Sequence, residues 1–319
     1  MRVLLAGGAG FVGSHLIDAL ISRGDHVVAV DNLSTGRLSN IEHLVGMSWF
    51  NLVEHDITEP LPPISTLREP FDAVLDFASP ASPDDFKTMP LEILAVGSTG
   101  TRNLLERAKA DGAIFYLAST SEVYGDPLVH PQPESYWGNV SSTGPRSCYD
   151  EAKRFSEALT MAYHRVHGVN IRIVRIFNTY GERMRPNDGR VVNTFVYQAL
   201  KGEPITLHGD GQQTRSFCHV SDEVRGLVAL LDSGHQEPVN VGNPGEFTMR
   251  ELAELVIEVT GSTSPIINVP LPPEREGDPA QRCPDITVAR ALLNWEPTVD
   301  LREGLTRMIH HFRTVEGIG

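Results

Sequence analysis

The chain has 319 residues, of which 40% are hydrophobic, so it can bury a sizeable core in one large domain or two closely joined ones. Its net charge of −14 argues against a nucleic-acid partner, because a phosphate backbone repels an acidic surface. The three cysteines, Cys148, Cys218 and Cys283, are too few and too widely spaced to indicate disulfides or a metal site, and a reducing cytoplasm is the expected location. The N-terminus opens on a strand-like run and no apolar run approaches about 18 residues, so we expect neither a signal peptide nor a membrane span.

In the first half of the chain, short apolar runs alternate with helical patterns. The patterns predict strands at 2–6, 26–30, 49–54, 73–76, 114–118 and 171–176, and helices at 11–23, 91–110 and 149–167. Strands and helices that alternate with short connections are typical of a parallel sheet covered by helices on both faces. We therefore predict an α/β fold with a doubly wound parallel sheet.

The pattern changes after about residue 178. Short strands are predicted at 205–207 and 239–241, and helices at 193–201, 249–260, 286–293 and 301–312. Proline and glycine become frequent, notably at 271–279. We interpret 1–177 as one domain and 178–319 as a smaller C-terminal α/β lobe, some segments of which return to the first domain.

A glycine-rich loop separates the first predicted strand from the first helix. Its glycines, Gly7, Gly10 and Gly13, have the spacing Gly-x-x-Gly-x-x-Gly, with Phe11 and Val12 at the helix start. Strand, loop and helix in this order are the context of a dinucleotide-binding site of the Rossmann type. We expect Gly7 to make the tight turn, Gly10 to admit a pyrophosphate, and Gly13 to let helix and strand pack closely. The free N–H groups of the helix then favour phosphate.

Asp31 ends the second predicted strand, 18 residues after Gly13. A carboxylate at this place accepts hydrogen bonds from ribose hydroxyls and repels a 2′-phosphate, which favours NAD over NADP. Arg37 lies nearby and could meet a phosphate, so NADP stays as the minor alternative. Asp56 and Ile57 follow another strand and are candidates to flank the adenine, although a solvated loop acid is nearly as common.

Tyr149 and Lys153 are four residues apart in a predicted helix and therefore share one face. A phenol ordinarily has a pKa near 10, and a nearby ammonium favours its ionised form. We expect Lys153 to lower the pKa of Tyr149, so that Tyr149 takes a proton from a sugar hydroxyl during hydride transfer. Thr120, at the end of the strand before this helix, can hydrogen-bond the same hydroxyl.

These motifs, taken together, resemble the extended short-chain dehydrogenase/reductases that act on nucleotide sugars, and within them the decarboxylases of UDP-glucuronate. The resemblance rests especially on Thr120-Ser121-Glu122, since related dehydratases usually have Asp at the middle position and related 4-epimerases usually lack the Glu. It extends over nearly the whole chain, through segments 7–13, 78–83, 118–127, 144–153, 175–181, 188–192, 213–217, 278–286 and 295–297.

The resemblance implies a reaction in which oxidation at sugar C4 places a ketone β to the C6 carboxylate. A β-keto acid loses CO₂ readily, because the electrons pass into an enolate. The enolate is protonated at C5, and the C4 ketone is reduced again. NAD is regenerated in each turnover, which fits tight retention of the cofactor.

The resemblance also implies roles for individual residues. Tyr149 is the base at the C4 hydroxyl. Lys153 tunes the pKa of Tyr149 and contacts the ribose, and Thr120 hydrogen-bonds the same sugar hydroxyl. Ser121 and Glu122 act at the carboxylate end or on a water that protonates C5, and Arg282 grips the carboxylate. The implied substrate-binding residues are Asn178, Arg190, Val191, Val192, Thr206, His208, Arg215 and Arg275, of which Arg215 and Arg275 clamp the diphosphate.

The cofactor-binding set implied for NAD extends over the carboxyl ends of the predicted strands. Besides Tyr149 and Lys153, it consists of Gly7, Gly10, Phe11, Val12, Gly13, Asp31, Asn32, Thr35, Gly36, Arg37, Asp56, Ile57, Phe77, Ala78, Ser79, Ala118 and Thr179. No metal is expected. In relatives, the helices at 91–110 and 149–167 form a four-helix interface, which implies a homodimer.

The chain departs from the family pattern at Ala95-Val96-Gly97, where Lys-Thr-Asn is usual, and at Cys283, where Lys is usual. Three classes of function therefore stay open: the decarboxylase, another activity on the same scaffold (4-epimerase, 4,6-dehydratase or net dehydrogenase), and a non-catalytic protein that binds NAD or a nucleotide sugar. Ser121 speaks against the dehydratase, Arg282 against the epimerase, and the Tyr149–Lys153 pair against the non-catalytic protein. The nucleobase, uridine or thymidine, is left open.

Overall fold

A parallel seven-stranded sheet forms the centre of the computed structural model, which describes residues 1–186, 188–271 and 281–318. Its strands are β1 (Arg2–Ala6), β2 (His26–Asp31), β3 (Phe50–Glu54), β4 (Ala73–Asp76), β5 (Ile114–Thr120), β6 (Asn170–Ile176) and, by its later place in the chain, β11 (Pro238–Val241). The order across the sheet is β11-β6-β5-β4-β1-β2-β3, with Val3 opposite both Val27 and Ala73. This is the predicted doubly wound sheet.

Helices cover both faces of the sheet and thereby bury its central strands on both sides. The helices of the first half are α1 (Phe11–Ser22), α2 (Pro83–Thr88), α3 (Pro90–Ala95), α4 (Thr101–Asp111) and α5 (Ser147–His167). Leu16 and Leu20 of α1 pack with Val3 and Leu5 in one core, whereas Leu104 of α4 packs in a second core on the opposite face.

The remaining elements belong to the second half of the chain, and several of them build a smaller lobe around its own core. They are β7 (Thr179–Tyr180), α6 (Val191–Lys201), β8 (Ile205–His208), β9 (Thr214–Ser216), β10 (Cys218–His219), α7 (Val220–Asp232), β12 (Glu246–Thr248), α8 (Met249–Thr260), β13 (Ile266–Val269), α9 (Thr287–Leu293) and α10 (Leu301–Thr314). Phe195, Leu252 and Leu305 bring α6, α8 and α10 together. However, α7 packs against α1, and β11 joins the edge of the main sheet, so part of the second half returns to the first.

Most predicted elements have the expected bounds to within two residues, but the prediction of one continuous helix at 91–110 is wrong. The chain there consists of α3, a π turn at Val96–Gly100, and α4. Close packing accounts for the π turn, because a Cβ on Gly97 would lie 2.8 Å from the Cβ of Ala152. Ser156 also donates a 2.7 Å hydrogen bond to the Gly97 carbonyl. The segment therefore fits against α5 at the cost of regular helix geometry.

Helix α7 was absent from the predicted elements, although its buried Val220, Val224, Leu227 and Leu231 have helical spacing. The short strands β7, β9, β10, β12 and β13 were also missed, since two to four residues give too little periodicity. Among the described residues, no helix has the length and apolarity to cross a membrane.

A buried carboxylate on α7 fastens the chain that leads into α10. Asp222 is 1% exposed and accepts hydrogen bonds of 2.7 Å from the backbone N–H groups of both Thr298 and Val299. We expect Asp222→Ala to lower the free energy of unfolding by about 3 kcal/mol, because buried donors then lose a charged acceptor. Urea unfolding measures the change. Asp232→Ala, which removes a surface ion pair of the same helix with Arg23, should cost less than about 1 kcal/mol. Equal losses in the two variants would contradict the argument.

Candidate active site

A cavity of about 690 Å³ opens at the carboxyl ends of the central strands, between the main sheet and the smaller lobe. Ligand sites of doubly wound sheets lie at this edge. The cavity brings together most predicted site residues from both halves of the chain: Gly7, Gly10, Phe11, Val12, Gly13, Thr35, Phe77, Ser79, Ala118, Thr120, Ser121, Glu122, Tyr149, Lys153, Asn178, Thr179, Arg190, Val191, Val192, Thr206, His208, Arg215 and Arg282.

The glycine loop has the geometry that its spacing predicts. Gly7 has a φ of +80°, and a Cβ there would lie 2.5 Å from the carbonyl oxygen of Phe77. A Cβ on Gly13 would lie 2.1 Å from the carbonyl oxygen of Gly7, so only glycine lets α1 approach the loop. Gly10 is the residue before α1, and no side chain there covers the free N–H groups of the helix. The loop can therefore cradle a phosphate.

Asp31 lies at the end of β2, directly beside the glycine loop. Its carboxylate accepts hydrogen bonds from the backbone N–H of Ala9, at 2.9 Å, and of Leu33, at 2.8 Å. Burial raises its pKa despite these bonds. A Cβ on Gly36 would lie 2.8 Å from Asp31 Oδ1, so glycine keeps space open at the carboxylate. Each oxygen can accept a further hydrogen bond.

Several predicted cofactor residues lie outside the lining of the cavity, near the ends of β2, β3 and β4. They are Asp31, Asn32, Gly36, Arg37, Asp56, Ile57 and Ala78. Asn32 donates a 2.9 Å hydrogen bond to Asp56, and Ile57 is buried beneath Gly100.

Arg37 is held by contacts within the chain. Its guanidinium forms a 2.7 Å ion pair with Glu316 and donates to the Arg183 carbonyl, whereas its Nε has no hydrogen-bond partner among the described residues. A contact of Arg37 with a phosphate stays a prediction.

Tyr149 and Lys153 lie on α5 and face the end of β5. The Tyr149 hydroxyl is hydrogen-bonded to Thr120, and its ring stacks on Phe86 with centroids 4.9 Å apart. Lys153 is buried, donates a 2.9 Å hydrogen bond to the Ala118 carbonyl, and lies 5.9 Å from the Tyr149 ring centroid. The predicted grouping of phenol, ammonium and threonine hydroxyl is therefore present.

The expectation that Lys153 lowers the pKa of Tyr149 is wrong for the chain alone. Burial raises the pKa of Tyr149, and the nearby charge of Glu122 raises it further, against the hydrogen bond with Thr120. Burial also lowers the pKa of Lys153, which the buried Asp76 carboxylate opposes. Desolvation thus disfavours the ionised forms of both members of the pair. A positive charge bound beside the phenol would favour the phenolate.

Glu122 forms a buried clamp with two arginines. Arg282 donates to both of its oxygens, at 2.5 and 2.7 Å, and Arg146 Nη2 lies 2.7 Å from Oε2. Burial alone would raise the pKa of Glu122, but the charges of Arg146 and Arg282 outweigh it and bring the pKa to about 2. Arg282 is 4% exposed, and its Nε has no hydrogen-bond partner among the described residues. One buried donor therefore remains for an anionic ligand.

Asp150 extends this cluster from the residue after Tyr149. Its Oδ2 lies 3.9 Å from Arg146 Nε, and its Oδ1 is buried without a hydrogen-bond partner among the described residues. Burial and the charge of Glu122 raise its pKa to about 7. The cluster thus pairs a carboxylate that stays ionised with one that titrates near neutrality.

The substrate-side residues lie on the smaller lobe. Val191 and Val192 begin α6, after Arg190, which pairs with Asp188. Asn178 donates a 3.2 Å hydrogen bond to the Ser216 carbonyl, and Thr206 is held by Gln198. Arg275 lies outside the described residues.

Sequence reasoning missed Arg146, Asp150, Phe86 and Arg185. Arg146 lies three residues before Tyr149 and four before Asp150, and residues at these spacings are neighbours on a helix. This spacing was therefore a usable signal for Arg146 and for its ion pair with Asp150. Phe86 and Arg185 come from elements distant in the sequence, and only the folded chain shows that both line the cavity.

Comparisons with known proteins identify the family to which the chain belongs. Residues 4–308 match the family described as GDP-mannose 4,6 dehydratase. UDP-glucuronic acid decarboxylase 1 of Arabidopsis thaliana is 53% identical over 98% of this chain and 70% of that protein. UDP-glucuronic acid decarboxylase 5 of the same plant is 51% identical over 100% of this chain and 91% of that protein.

Solved structures share the fold. The UDP-glucose 4-epimerase of Thermotoga maritima, with UDP-glucose, has a TM-score of 0.88 at 30% identity and covers 99% of this chain and 100% of its own. The UDP-glucuronic acid 4-epimerase of Bacillus cereus, in complex with UDP-glucuronic acid and NAD, has a TM-score of 0.85 at 30% identity, with the same coverage. The chain is about half identical to these two decarboxylases over nearly its whole length, and it therefore belongs to the UDP-glucuronic acid decarboxylase family of the extended short-chain dehydrogenase/reductases.

Proposed function

We propose that this chain is an NAD-dependent enzyme that decarboxylates UDP-glucuronate to UDP-xylose. The observation that carries the proposal is the Glu122–Arg282 clamp in the same cavity as Tyr149, Thr120 and Lys153. A 4-epimerase or 4,6-dehydratase of a neutral sugar needs no such guanidinium. A 4-epimerase of UDP-glucuronic acid also meets a carboxylate, and there the higher identity with the decarboxylases favours decarboxylation. The relatives that share about half of the residues are named as decarboxylases of UDP-glucuronic acid.

The glycine loop and the carboxylate of Asp31 fit NAD. Gly7 and Gly13 leave no room for side chains, so backbone lines the phosphate cradle, and Asp31 offers oxygens to the adenosine ribose. NAD, when bound, supplies a hydride acceptor that makes the sugar C4 hydroxyl a ketone, and a positively charged ring in its oxidised form. That charge would favour the phenolate of the buried Tyr149.

Tyr149 is proposed as the base at the C4 hydroxyl. Thr120 holds the phenol oxygen by a hydrogen bond, and Phe86 fixes the ring by stacking, so the oxygen has a defined position. Lys153 is anchored on the Ala118 carbonyl, from which its remaining N–H groups can reach a cofactor hydroxyl.

Arg282 is proposed to bind the C6 carboxylate through its unmatched Nε. When the β-keto acid releases neutral CO₂, the negative charge moves from the carboxylate beside the guanidinium to the enolate, and it is neutralised when C5 takes a proton. Glu122 keeps both of its hydrogen bonds to Arg282, so no buried cation is left unpaired. Ser121, which is 2% exposed at the same strand end, and Glu122 are placed to direct the proton that reaches C5.

The nucleotide end of the substrate is assigned to the smaller lobe. Arg190 and Arg215 supply positive charge to the diphosphate, and Arg275 keeps this role as a prediction. The proposed further contacts are Asn178, Val191, Val192, Thr206 and His208. Local arginines in a cavity let a protein of net charge −14 hold an anion.

We also propose a homodimer in the cytoplasm. Leu91 and Leu94 of α3 and Phe155 of α5 are exposed apolar side chains on the helices expected at the interface. The three cysteines are free thiols, which suits a reducing compartment and is checked by localising the full chain in its own cells.

The activity is tested by incubating the protein with UDP-glucuronate and NAD. We expect CO₂ and a UDP-pentose in equal amounts, with no net formation of NADH. Tyr149→Phe should remove turnover while NAD still binds. A UDP-hexuronate changed only at C4 would replace the proposal by an epimerase, and NAD binding without turnover of any uronate would favour a non-catalytic role.

In the same assay, Arg282→Ala should lose CO₂ release by about a hundredfold or more, since a buried charge pair is broken. Its NAD affinity should change far less, because Arg282 belongs to the sugar end. Arg290→Ala, which removes an exposed guanidinium from α9, is the matched control and should retain activity. Equal loss of CO₂ release and NAD binding in Arg282→Ala would remove this residue from the sugar pocket.

The dimer is tested by sedimentation velocity. Phe155→Asp should shift the protein towards a monomer, because it places a charge on the proposed apolar interface. Leu128→Asp changes an 80% exposed leucine in the loop before α5 and should leave the dimer intact. A wild-type chain that sediments as a monomer at micromolar concentration would refute the assignment.

A further inference from the structure

Three side chains with metal-binding atoms meet outside the cavity. His130 lies in the loop between β5 and α5, Glu246 begins β12, and Cys283 follows Arg282. One ligand atom from each residue lies within 4.8 Å of the other two. None of the three lines the cavity described above. Their separation along the chain explains why cysteine spacing gave no sign of the group.

The group is held in place by further contacts. His130 Nε2 lies 2.8 Å from Glu246 Oε2, and Thr214 donates a 2.8 Å hydrogen bond to Glu246 Oε1. Gln132, which is fully buried, accepts a 2.9 Å hydrogen bond from the Cys283 N–H. The same side chain reaches within 3.5 Å of His130 Nδ1. Such outer contacts orient ligands in metal sites.

We propose that His130, Glu246 and Cys283 bind a zinc ion. Thiolate, imidazole and carboxylate are the three ligand types that Zn²⁺ takes in proteins, usually in tetrahedral geometry. The thiolate disfavours Mg²⁺ and Ca²⁺, which prefer oxygen ligands alone. Three protein ligands leave the fourth position for water. This zinc site does not rest on the proposed function. Binding of the ion is measured directly, so the test does not depend on enzyme activity.

The alternative is that His130 and Glu246 form an ordinary surface pair beside an unrelated thiol. A pair of this kind exists elsewhere, since His43 Nε2 lies 2.8 Å from Asp18 Oδ1 on another part of the surface. Among the described residues, the His43–Asp18 pair has no cysteine that completes a group of three. It therefore serves as the matched control.

A metal at this site would restrain the backbone next to the sugar pocket. Cys283 is the direct neighbour of Arg282, and the other two ligands come from a loop of the first half and a strand of the lobe. The ion would thus tie three separate segments together behind the Glu122–Arg282 clamp. This predicts that metal binding stabilises the folded chain.

The experiment adds Co²⁺, and separately Zn²⁺, to the metal-free full-length protein. We expect one Co²⁺ per chain with a thiolate charge-transfer band in the near ultraviolet, displaced by Zn²⁺, and a Tm that rises with Zn²⁺ concentration. Cys283→Ser should abolish the band and the rise in Tm. His130→Asn should weaken Zn²⁺ binding at least tenfold, by about 1.4 kcal/mol.

His43→Asn should leave the stoichiometry, the band and the affinity unchanged. A band that survives in Cys283→Ser, or no thiolate band in the wild-type protein, would overturn the site. Equal weakening by His43→Asn and His130→Asn would show general surface binding and would also overturn it. Circular dichroism of each variant, compared with the wild type, confirms that the ligand substitutions leave the fold intact.

Discussion

Glu122 carries a buried carboxylate that two guanidiniums approach from different parts of the chain. Arg146 comes from the start of α5, and Arg282 comes from the segment that leads into α9. Breaking a buried pair leaves an uncompensated charge and costs several kcal/mol, whereas forming it adds little net stability. The clamp is therefore weak as a source of stability but strict as a constraint on position. It ties the segment that leads into α9 and the start of α5 to the end of β5.

Burial shifts the pKa of several groups in the site, although two arginines outweigh it at Glu122. Tyr149 and Lys153 both lie where desolvation disfavours their ionised forms, and burial also raises the pKa of Asp150 to about 7. The ionised clamp and the poorly ionised Tyr149–Lys153 pair thus lie side by side, and a positive charge bound beside the pair would favour the phenolate.

The sequence allowed prediction of those features that depend on local spacing. Gly7 and Gly13 follow from the order strand, loop and helix, and the Tyr149–Lys153 pair follows from the period of α5. Features that depend on distant contacts were not accessible. The π turn at Val96–Gly100 accompanies the packing of Gly97 on Ala152, and the raised pKa of Tyr149 follows from its own burial and then from the charge of Glu122. The spacing of residues along the sequence gives no information on the π turn or on the pKa of Tyr149.

The departures from the family pattern fall on the supports of the site and spare the proposed reacting groups. Ala95, Val96 and Gly97 lie outside the lining of the cavity, and Gly97 packs against α5 behind Tyr149. Cys283 is the residue after Arg282 and likewise lies outside the lining of the cavity. A change in such supports alters how firmly the phenol and the guanidinium are held while the chemistry available to them is kept. The loss of polar side chains at residues 95–97 and the gain of a thiol at Cys283 are therefore both changes in the supports of the site. The thiol of Cys283 lies beside an imidazole and a carboxylate, and the metal proposed above would hold the neighbouring Arg282 in place.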